Sequence, residues 1–553
     1  MSMFCYQCQE TVHNTGCTIK GVCGKNEEVA NLLDVLVFTL KGISFWNTRA
    51  RKLGINDEAA DRFVIESLFT TITNVNFDPE VIARRIETAL IKRDTVKKMY
   101  IDKQGSNFKE KLPDAATWNP ASNTISEYLK KAPEVGVLSQ KNEDIRSLRE
   151  TLIYGLKGIS AYADHAYILD KKSDEIFAFV QEGLAATLDD SLTADDLVGL
   201  VLNAGQTAVA VMALLDEANT SRYGSPEITE VNTGIKTGPG ILVSGHDLLD
   251  LEELLKQTEG KGINIYTHGE MLPANAYPAL KKYKHLAGNY GSSWWHQQQE
   301  FEAFNGAILM TTNCLVKPKD TYKDRLFTTG VVGWPDVKHI APRQPGKQKD
   351  FSPVIAKALN QGNLQAKTGK KLVIGFAHDT VMNNAGKILE LFQSGKLKRF
   401  VVMAGCDGRL ASREYHTQLA EKLPKDTIIL TAGCAKYRYN MLDLGDIDGI
   451  PRVLDSGQCN DSYSWAYVAL KLKEVLGVDD INDLPISYNV AWYEQKAVAV
   501  LLALLSLGVK KIRLCPTAPG FVSSNVLKVL QDNFQLMVTT QVDQDIDAMM
   551  AGA

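Results

Sequence analysis

Four of the nine cysteines fall within the first 23 residues, as Cys5-x2-Cys8-x8-Cys17-x5-Cys23. Sulfurs this closely spaced form a ligand set, because thiolates select zinc, copper(I) or cluster iron. A structural zinc site ordinarily pairs two short CxxC knuckles. The second pair here is C-x5-C, so the spacing favours a [4Fe–4S] cube on four thiolates. No cysteine follows until Cys314, after which come Cys406, Cys434, Cys459 and Cys515. From Cys406 to Cys434, to Cys459 and on to Glu494 the steps are 28, 25 and 35 residues. Each step suits one strand-plus-helix unit. An odd cysteine count argues against a complete disulfide framework, and clustered thiols in a reducing compartment read as metal ligands or redox groups.

Spacing of that kind needs a repeating scaffold. From about Gly224 the chain alternates short apolar runs with helical stretches, which predicts parallel sheets covered by helices. Strands are expected at Ile241 to Val243, Ile263 to Tyr266 and Ala307 to Met310. After a polar stretch near Asn360 to Lys371, more are expected at Leu372 to Phe376, Phe400 to Met403, Thr427 to Thr431, Arg452 to Leu454, Ile486 to Val490 and Ile512 to Leu514. Ligands of open parallel sheets bind beyond the carboxyl ends of the strands. His246, Glu270 and Cys314 each follow a strand in the first series; Cys406, Cys434, Cys459 and Glu494 do so in the second. One cysteine at a strand end is ordinarily a small buried hydrophobe. Seven such groups in successive units predict a common centre between two facing sheets.

The N-terminal region reads as helical. Val29, Leu32, Leu33, Leu36 and Leu40 recur at three- and four-residue steps, the stripe of an amphipathic helix. Leu40-Lys41-Gly42-Ile43-Ser44 returns letter for letter as Leu156-Lys157-Gly158-Ile159-Ser160, and Leu68, Thr71 and Ile72 match Leu184, Thr187 and Leu188 in the same register. Two similar bundles are expected. The expected domains are therefore residues 1–225 (cysteine cluster and helical bundles), 226–366 (first α/β unit) and 367–553 (second α/β unit).

Four thiolates, two carboxylates and an imidazole are too many and too varied for one tetrahedral zinc. They suit a multinuclear iron centre with an open position, where chemistry can occur. No G-x-G-x-x-G follows a strand and no G-x-x-x-x-G-K-[ST] occurs, so a nucleotide site has no direct support. In the turn Gly405-Cys406-Asp407-Gly408, a helix N-terminus and Arg409 would depress the Cys406 pKa and make it reactive. Composition is ordinary for a globular chain of 553 residues, with 45% hydrophobic and 23% charged residues. A net charge of -4 gives no global reason to bind nucleic acid. The longest strongly apolar run, Ala497 to Val509, is too short for a bilayer, and the N-terminus lacks an export signal pattern. A cytoplasmic protein without a membrane partner is expected.

These motifs resemble the hybrid cluster proteins, also called prismane proteins. The likeness is carried by the N-terminal cysteine spacing, Ser244-Gly245-His246-Asp247, Thr267-His268-Gly269-Glu270-Met271-Leu272-Pro273 and Thr311-Thr312-Asn313-Cys314. It continues through Met403-Ala404-Gly405-Cys406-Asp407-Gly408-Arg409, Thr431-Ala432-Gly433-Cys434-Ala435-Lys436-Tyr437-Arg438, Asp455-Ser456-Gly457-Gln458-Cys459-Asn460-Asp461 and Trp492-Tyr493-Glu494-Gln495-Lys496. The short N-terminal spacing is similar to the anaerobe-type subgroup, whose first cluster is a [4Fe–4S] cube.

The resemblance implies a helical domain followed by two Rossmann-like domains, a layout shared with carbon monoxide dehydrogenases. It implies a hybrid [4Fe-2O-2S] cluster on His246, Glu270, Cys314, Cys406, Cys434, Cys459 and Glu494, with Cys406 able to carry a persulfide. His378 and Cys515 have no family role. The activity implied is reduction of hydroxylamine to ammonia and of nitric oxide to nitrous oxide, as in defence against nitrosative stress. Electrons would arrive from a donor protein through the first cluster, and Glu494, His246 and Lys496 are the candidate proton donors; Lys496 has an alternative role in neutralising the cluster's charge. A monomer is expected. Two other readings are a sensor that passes NO groups to protein thiols and, from architecture alone, a carbon monoxide dehydrogenase-like enzyme.

Overall fold

The computed structural model describes residues 2–106 and 111–553. Beyond the cysteine segment run seven α-helices: α1 (Glu27–Lys52), α2 (Glu58–Thr70), α3 (Pro79–Gln104), α4 (Ile125–Val135), α5 (Glu143–Ile168), α6 (Asp174–Ala186) and α7 (Ala194–Tyr223). Each starts on a polar cap whose side chain accepts a first-turn N–H, namely Asn26, Asp57, Asp78, Thr124, Asn142, Ser173 and Thr193. The internal repeat is structural. α1 and α5 both have 26 residues, α2 and α6 both have 13, and each second copy starts 116 residues after the first. α1 packs on α6 and α2 on α5, so the two copies interlock. The repeated glycine is a close-approach position both times. A Cβ on Gly42 would stand 2.1 Å from the Ala115 carbonyl oxygen, and one on Gly158 would stand 2.3 Å from that of Gln495.

α1 and α7 are long and apolar enough to cross a bilayer by length and composition, although neither is an unbroken apolar run. A core helix passes the same test. Within the protein 78% of the apolar window of α1 is buried, against 33% for α7. α7 lies on α5 and on the helix Gln495–Ser506.

A short strand β1 (Thr229–Asn232) opens the second part of the chain. The first sheet then comprises β2 (Gly240–Ser244), β3 (Asn264–His268), β4 (Leu286–Asn289), β5 (Ala307–Met310), β6 (Leu326–Thr329) and β7 (Lys338–Ile340). Its order is β4-β3-β2-β5-β6-β7, parallel throughout. Next comes β8 (Lys371–Ile374), then β9 (Arg399–Gly405), β10 (Thr427–Thr431), the small hairpin β11 (Asp446–Ile447) and β12 (Ile450–Pro451), β13 (Val453–Asp455), β14 (Ile486–Ala491), β15 (Ile512–Cys515) and β16 (Met537–Val538). The second sheet is β13-β10-β9-β14-β15-β16, again all parallel. Both sheets have the doubly wound order in which the chain reverses direction across the sheet beside its first strand.

One expected strand behaves differently. Leu372 to Phe376 was expected to open the second sheet, yet β8 pairs antiparallel with β1 as a separate ribbon. Its residues alternate exposed and buried, whereas β10 is buried throughout. Alternation suits a ribbon with one wet face, and continuous burial suits a strand covered on both faces.

Candidate metal centre

The switch point of the first sheet lies between β2 and β5, and that of the second between β9 and β14. His246 follows β2 and Cys314 follows β5, so this pair flanks the first switch point. Cys406 follows β9 and Glu494 follows β14, flanking the second. Glu270, Cys434 and Cys459 stand beyond the neighbouring strands β3, β10 and β13. Tight turns let the strands end there. Gly405 has φ +110°, and a Cβ on it would lie 1.9 Å from the Ala491 carbonyl oxygen. Cys314 itself takes the left-handed conformation at φ 76°, a strained setting for a non-glycine residue that is common at functional sites.

The two edges meet. His246 Nε2 lies 3.8 Å from Glu270 Oε2, and one ligand atom from each of His246, Glu270 and Cys459 falls within 4.8 Å of the others. The Cys459 N–H donates to Glu270 Oε2 at 2.9 Å, and Gln458 Nε2 donates to the carbonyls of Glu270 at 2.9 Å and His246 at 3.2 Å. His246 Nδ1 bonds Thr312 Oγ1 at 2.9 Å, which fixes the ring and leaves Nε2 facing inward. Lys496 Nζ reaches His246 Nε2 and Asn313 Oδ1, both at 2.9 Å, and stands 3.7 Å from Glu494 Oε1. Cys314, Cys406 and Cys434 pack in one apolar cluster with Trp294 and Tyr493. All seven predicted residues are thus brought together, with Lys496 among them.

Burial dominates the electrostatics. It pushes the Cys459 thiol up to about 12 and Cys314, Cys406 and Cys434 above the ordinary thiol range, and it raises the Glu494 carboxyl. His246 is held neutral by burial and by the Lys496 charge. The Lys496 ammonium loses hydration, yet the sulfurs and carboxylates around it, Cys459 foremost, raise its pKa above the ordinary value. The expected acidity of Cys406 is corrected by this geometry. Cys406 follows a strand and precedes a loop, not a helix, and Arg409 turns away to the Val22 carbonyl, 3.0 Å from its Nη1.

The four N-terminal cysteines line a second cavity together with Gln7, Lys25, Thr71, Thr73 and Lys157. Cys5 and Cys17 are joined as an antiparallel backbone pair, at 3.0 and 2.8 Å. Burial pushes Cys5 up to about 12 and raises Cys8 well above the ordinary thiol value. Cys8 belongs to the same apolar cluster as Cys434 and Tyr493, and the Gln9 N–H donates to the Tyr493 carbonyl at 2.9 Å. Cys8 and Glu494 are therefore each one residue away from a single hydrogen bond that joins the two cavities.

The family model described as Prismane/CO dehydrogenase family matches residues 3–547. The chain belongs to this family. Within it, the chain is 66% identical over the full length of both chains to a hydroxylamine reductase of Kosmotoga olearia, 61% to one of Halothermothrix orenii and 59% to one of Nitratidesulfovibrio vulgaris. Among solved structures, carbon monoxide dehydrogenase IV from Carboxydothermus hydrogenoformans matches with a TM-score of 0.56 at 15% identity, covering 99% of this chain and 92% of that one. A carbon monoxide dehydrogenase from Thermococcus sp. AM4 matches with a TM-score of 0.53 at 17% identity, covering 99% and 90%. These distant likenesses show a shared fold of helical region and parallel sheets.

Membership in the prismane family implies iron–sulfur clusters, and the two donor sets fit such groups. Glu270 Oε1 is buried with no nitrogen or oxygen donor bonded to it, which suits an oxygen able to ligate a cation. Sequence reasoning passed over Tyr162, whose buried Oη bonds no nitrogen or oxygen and faces the Cys459 sulfur, with Glu494 and Cys406 nearby. His165, on the same face of α5, stacks on His246 with ring centroids 5.9 Å apart. The signal was a break in the repeat, since Trp46 of the first copy is replaced by Tyr162 in the second. An apolar cavity also reaches the centre, running from Cys406 and Cys459 past Trp465 and Val490 to Leu504 and Leu507. His378 and Cys515 lie elsewhere. His378 opens a short helix beside Ser464, and Cys515 is in the core of the second sheet.

Proposed function

We propose that this chain reduces hydroxylamine to ammonia and water, taking up two electrons and two protons per molecule. What supports the reading is the convergence of His246, Glu270, Cys314, Cys406, Cys434, Cys459 and Glu494 beyond two facing switch points, together with the hydroxylamine reductases at 59–66% identity. In this reading the seven residues hold a hybrid [4Fe-2O-2S] cluster, with Cys406 as a persulfide, and Cys5, Cys8, Cys17 and Cys23 hold a [4Fe–4S] cube. Iron in the hybrid site supplies electrons and an open position for the substrate nitrogen. The chain's own residues handle protons and water. Lys496 keeps its proton among buried sulfurs and carboxylates. Glu494 would act as an acid only where its carboxyl is free of iron, and burial then lets it hold a proton at neutral pH more readily than an exposed carboxyl does. Cleavage of the N–O bond needs a proton on the departing oxygen, which these two groups are positioned to give. The Cys8–Gln9–Tyr493–Glu494 link offers a short route for electrons from a donor protein.

The apolar cavity favours a second substrate, nitric oxide, since an uncharged diatomic enters apolar space more readily than hydroxylamine does. Two molecules with two electrons and two protons give nitrous oxide and water. The test is anaerobic purification with iron and sulfide analysis, EPR, and turnover with a reduced dye. Two distinct iron–sulfur signals with hydroxylamine turnover are expected; one signal, or none, would overturn the reading.

A further inference from the structure

We propose that Lys25 and Lys157 raise the reduction potential of the group held by Cys5, Cys8, Cys17 and Cys23, by setting two buried positive charges in the wall of its cavity. The inference rests on reading that group as an iron–sulfur cluster. Both lysines line the cavity with all four cysteines. Lys25 is 3% exposed and Lys157 6%. Their ammonium groups are held by neutral oxygens. Lys25 Nζ donates to the Ile72 carbonyl at 3.0 Å, and Lys157 Nζ to Gln7 Oε1 at 3.0 Å. Among the described residues neither has a carboxylate oxygen within 4 Å. The acid in the same wall, Asp34, is pushed up to about 7 by burial, which makes it a weak counter-ion.

A buried ammonium without a counter-ion costs several kcal/mol, so this arrangement calls for an anionic occupant. Four thiolates around iron and sulfide carry net negative charge, and reduction adds one more unit. A nearby fixed cation favours the reduced form, and net charge is among the levers that set cluster potentials. The repeat supplies a built-in comparison. Lys41 and Lys157 occupy the same place in Leu-Lys-Gly-Ile-Ser. Only Lys157 lines the cysteine cavity, although Glu150 acts on both lysines.

The test is redox-poised EPR of the anaerobically loaded protein, read at the signal of the first cluster. Lys157→Met and Lys25→Met are each expected to lower the midpoint by at least about 59 mV, a tenfold change in a one-electron equilibrium. Lys157→Arg, which keeps the charge, and Lys41→Met should stay near the wild-type value. Unshifted midpoints in both cavity variants would overturn the proposal. Should Lys157→Met fail to take up iron while Lys157→Arg loads, the charge requirement is supported; if neither loads, the lysine is a packing element and the proposal falls. Absence of any first-cluster signal in the wild-type protein overturns the cluster reading itself, and is seen before a variant is made.

Discussion

Glu494 accepts the Lys496 N–H at 2.8 Å through Oε2, capping the helix Gln495–Ser506, while Oε1 lies 3.7 Å from Lys496 Nζ. Glu494→Gln keeps an oxygen for the cap and removes the ionisable group. Its expected result is full iron at the first cluster and a loss of hydroxylamine turnover of at least about 100-fold, the low end for a proton donor. Iron analysis and steady-state turnover check this, and full activity would remove Glu494 from the reaction. Tyr162 makes a different case, because its buried hydroxyl bonds no nitrogen or oxygen and has only the Cys459 sulfur beside it. Tyr162→Phe should leave the thermal midpoint almost unchanged and lower kcat about tenfold, the worth of one hydrogen bond at a reacting centre. A changed midpoint with normal kcat would make the phenol a structural group. The seven converging residues were legible in sequence because each stands just past the end of an expected strand, at steps of about one strand-plus-helix unit from Cys406 onward. Tyr162 was marked only by the break in the repeat, since the place of its hydroxyl beside Cys459 is a property of packing. The Cys406 acidity was not legible, since it depends on burial more than on the neighbouring arginine.

α5 and the helix Gln495–Ser506 touch where Gly158 meets the Gln495 backbone, so one contact holds Tyr162 on one side and Glu494 with Lys496 on the other. Alanine is the better helix former by about 1 kcal/mol. At Gly158 its methyl would lie 2.3 Å from the Gln495 oxygen and 2.8 Å from Ala499 Cβ, and such overpacking costs about 1–3 kcal/mol. Gly199 on α7 has nothing within 4 Å of the same methyl. Gly158→Ala should therefore lower the unfolding midpoint and the turnover, while Gly199→Ala should raise the midpoint slightly. Thermal unfolding of the two variants decides it, and shifts of the same sign would contradict the close contact. At this scale α1, β2, β5, β9 and β10 were legible, because their apolar patterns are long or uninterrupted, and β14 was the weaker signal, broken by Ser487 and Asn489. β4, with the sequence Leu-Ala-Gly-Asn, and the two-residue β16 carry little strand signal. The β1–β8 ribbon pairs Thr229 with Ile374, and no local pattern announces a partner so distant in the chain.

Seven candidate ligands from two sheets and four more from the N-terminal segment make the metal-loaded fold and the metal-free fold respond to pH with opposite signs. In the metal-free protein burial raises the thiols, to about 12 for Cys5 and Cys459, above the roughly 8.5 of an unfolded chain. A raised folded-state pKa gives stability that is complete below the unfolded value and lost as pH climbs toward the folded one. The metal-free fold should hold constant from pH 6.5 to 8.5 in respect of its thiols, and weaken above that. Sulfurs bound to iron have given up their protons. The loaded fold then binds fewer protons than the unfolded chain, and its stability rises with pH up to the unfolded thiol value. Each bound thiolate adds a slope of about 1.4 kcal/mol per pH unit well below that value, falling to about half of it at the value itself. Anaerobic thermal unfolding of both forms between pH 6.5 and 8.5 should therefore show the gap in midpoint widening as pH rises. A gap that stays constant would mean that the buried cysteines do not bind as thiolates, and the two cavities would need another occupant.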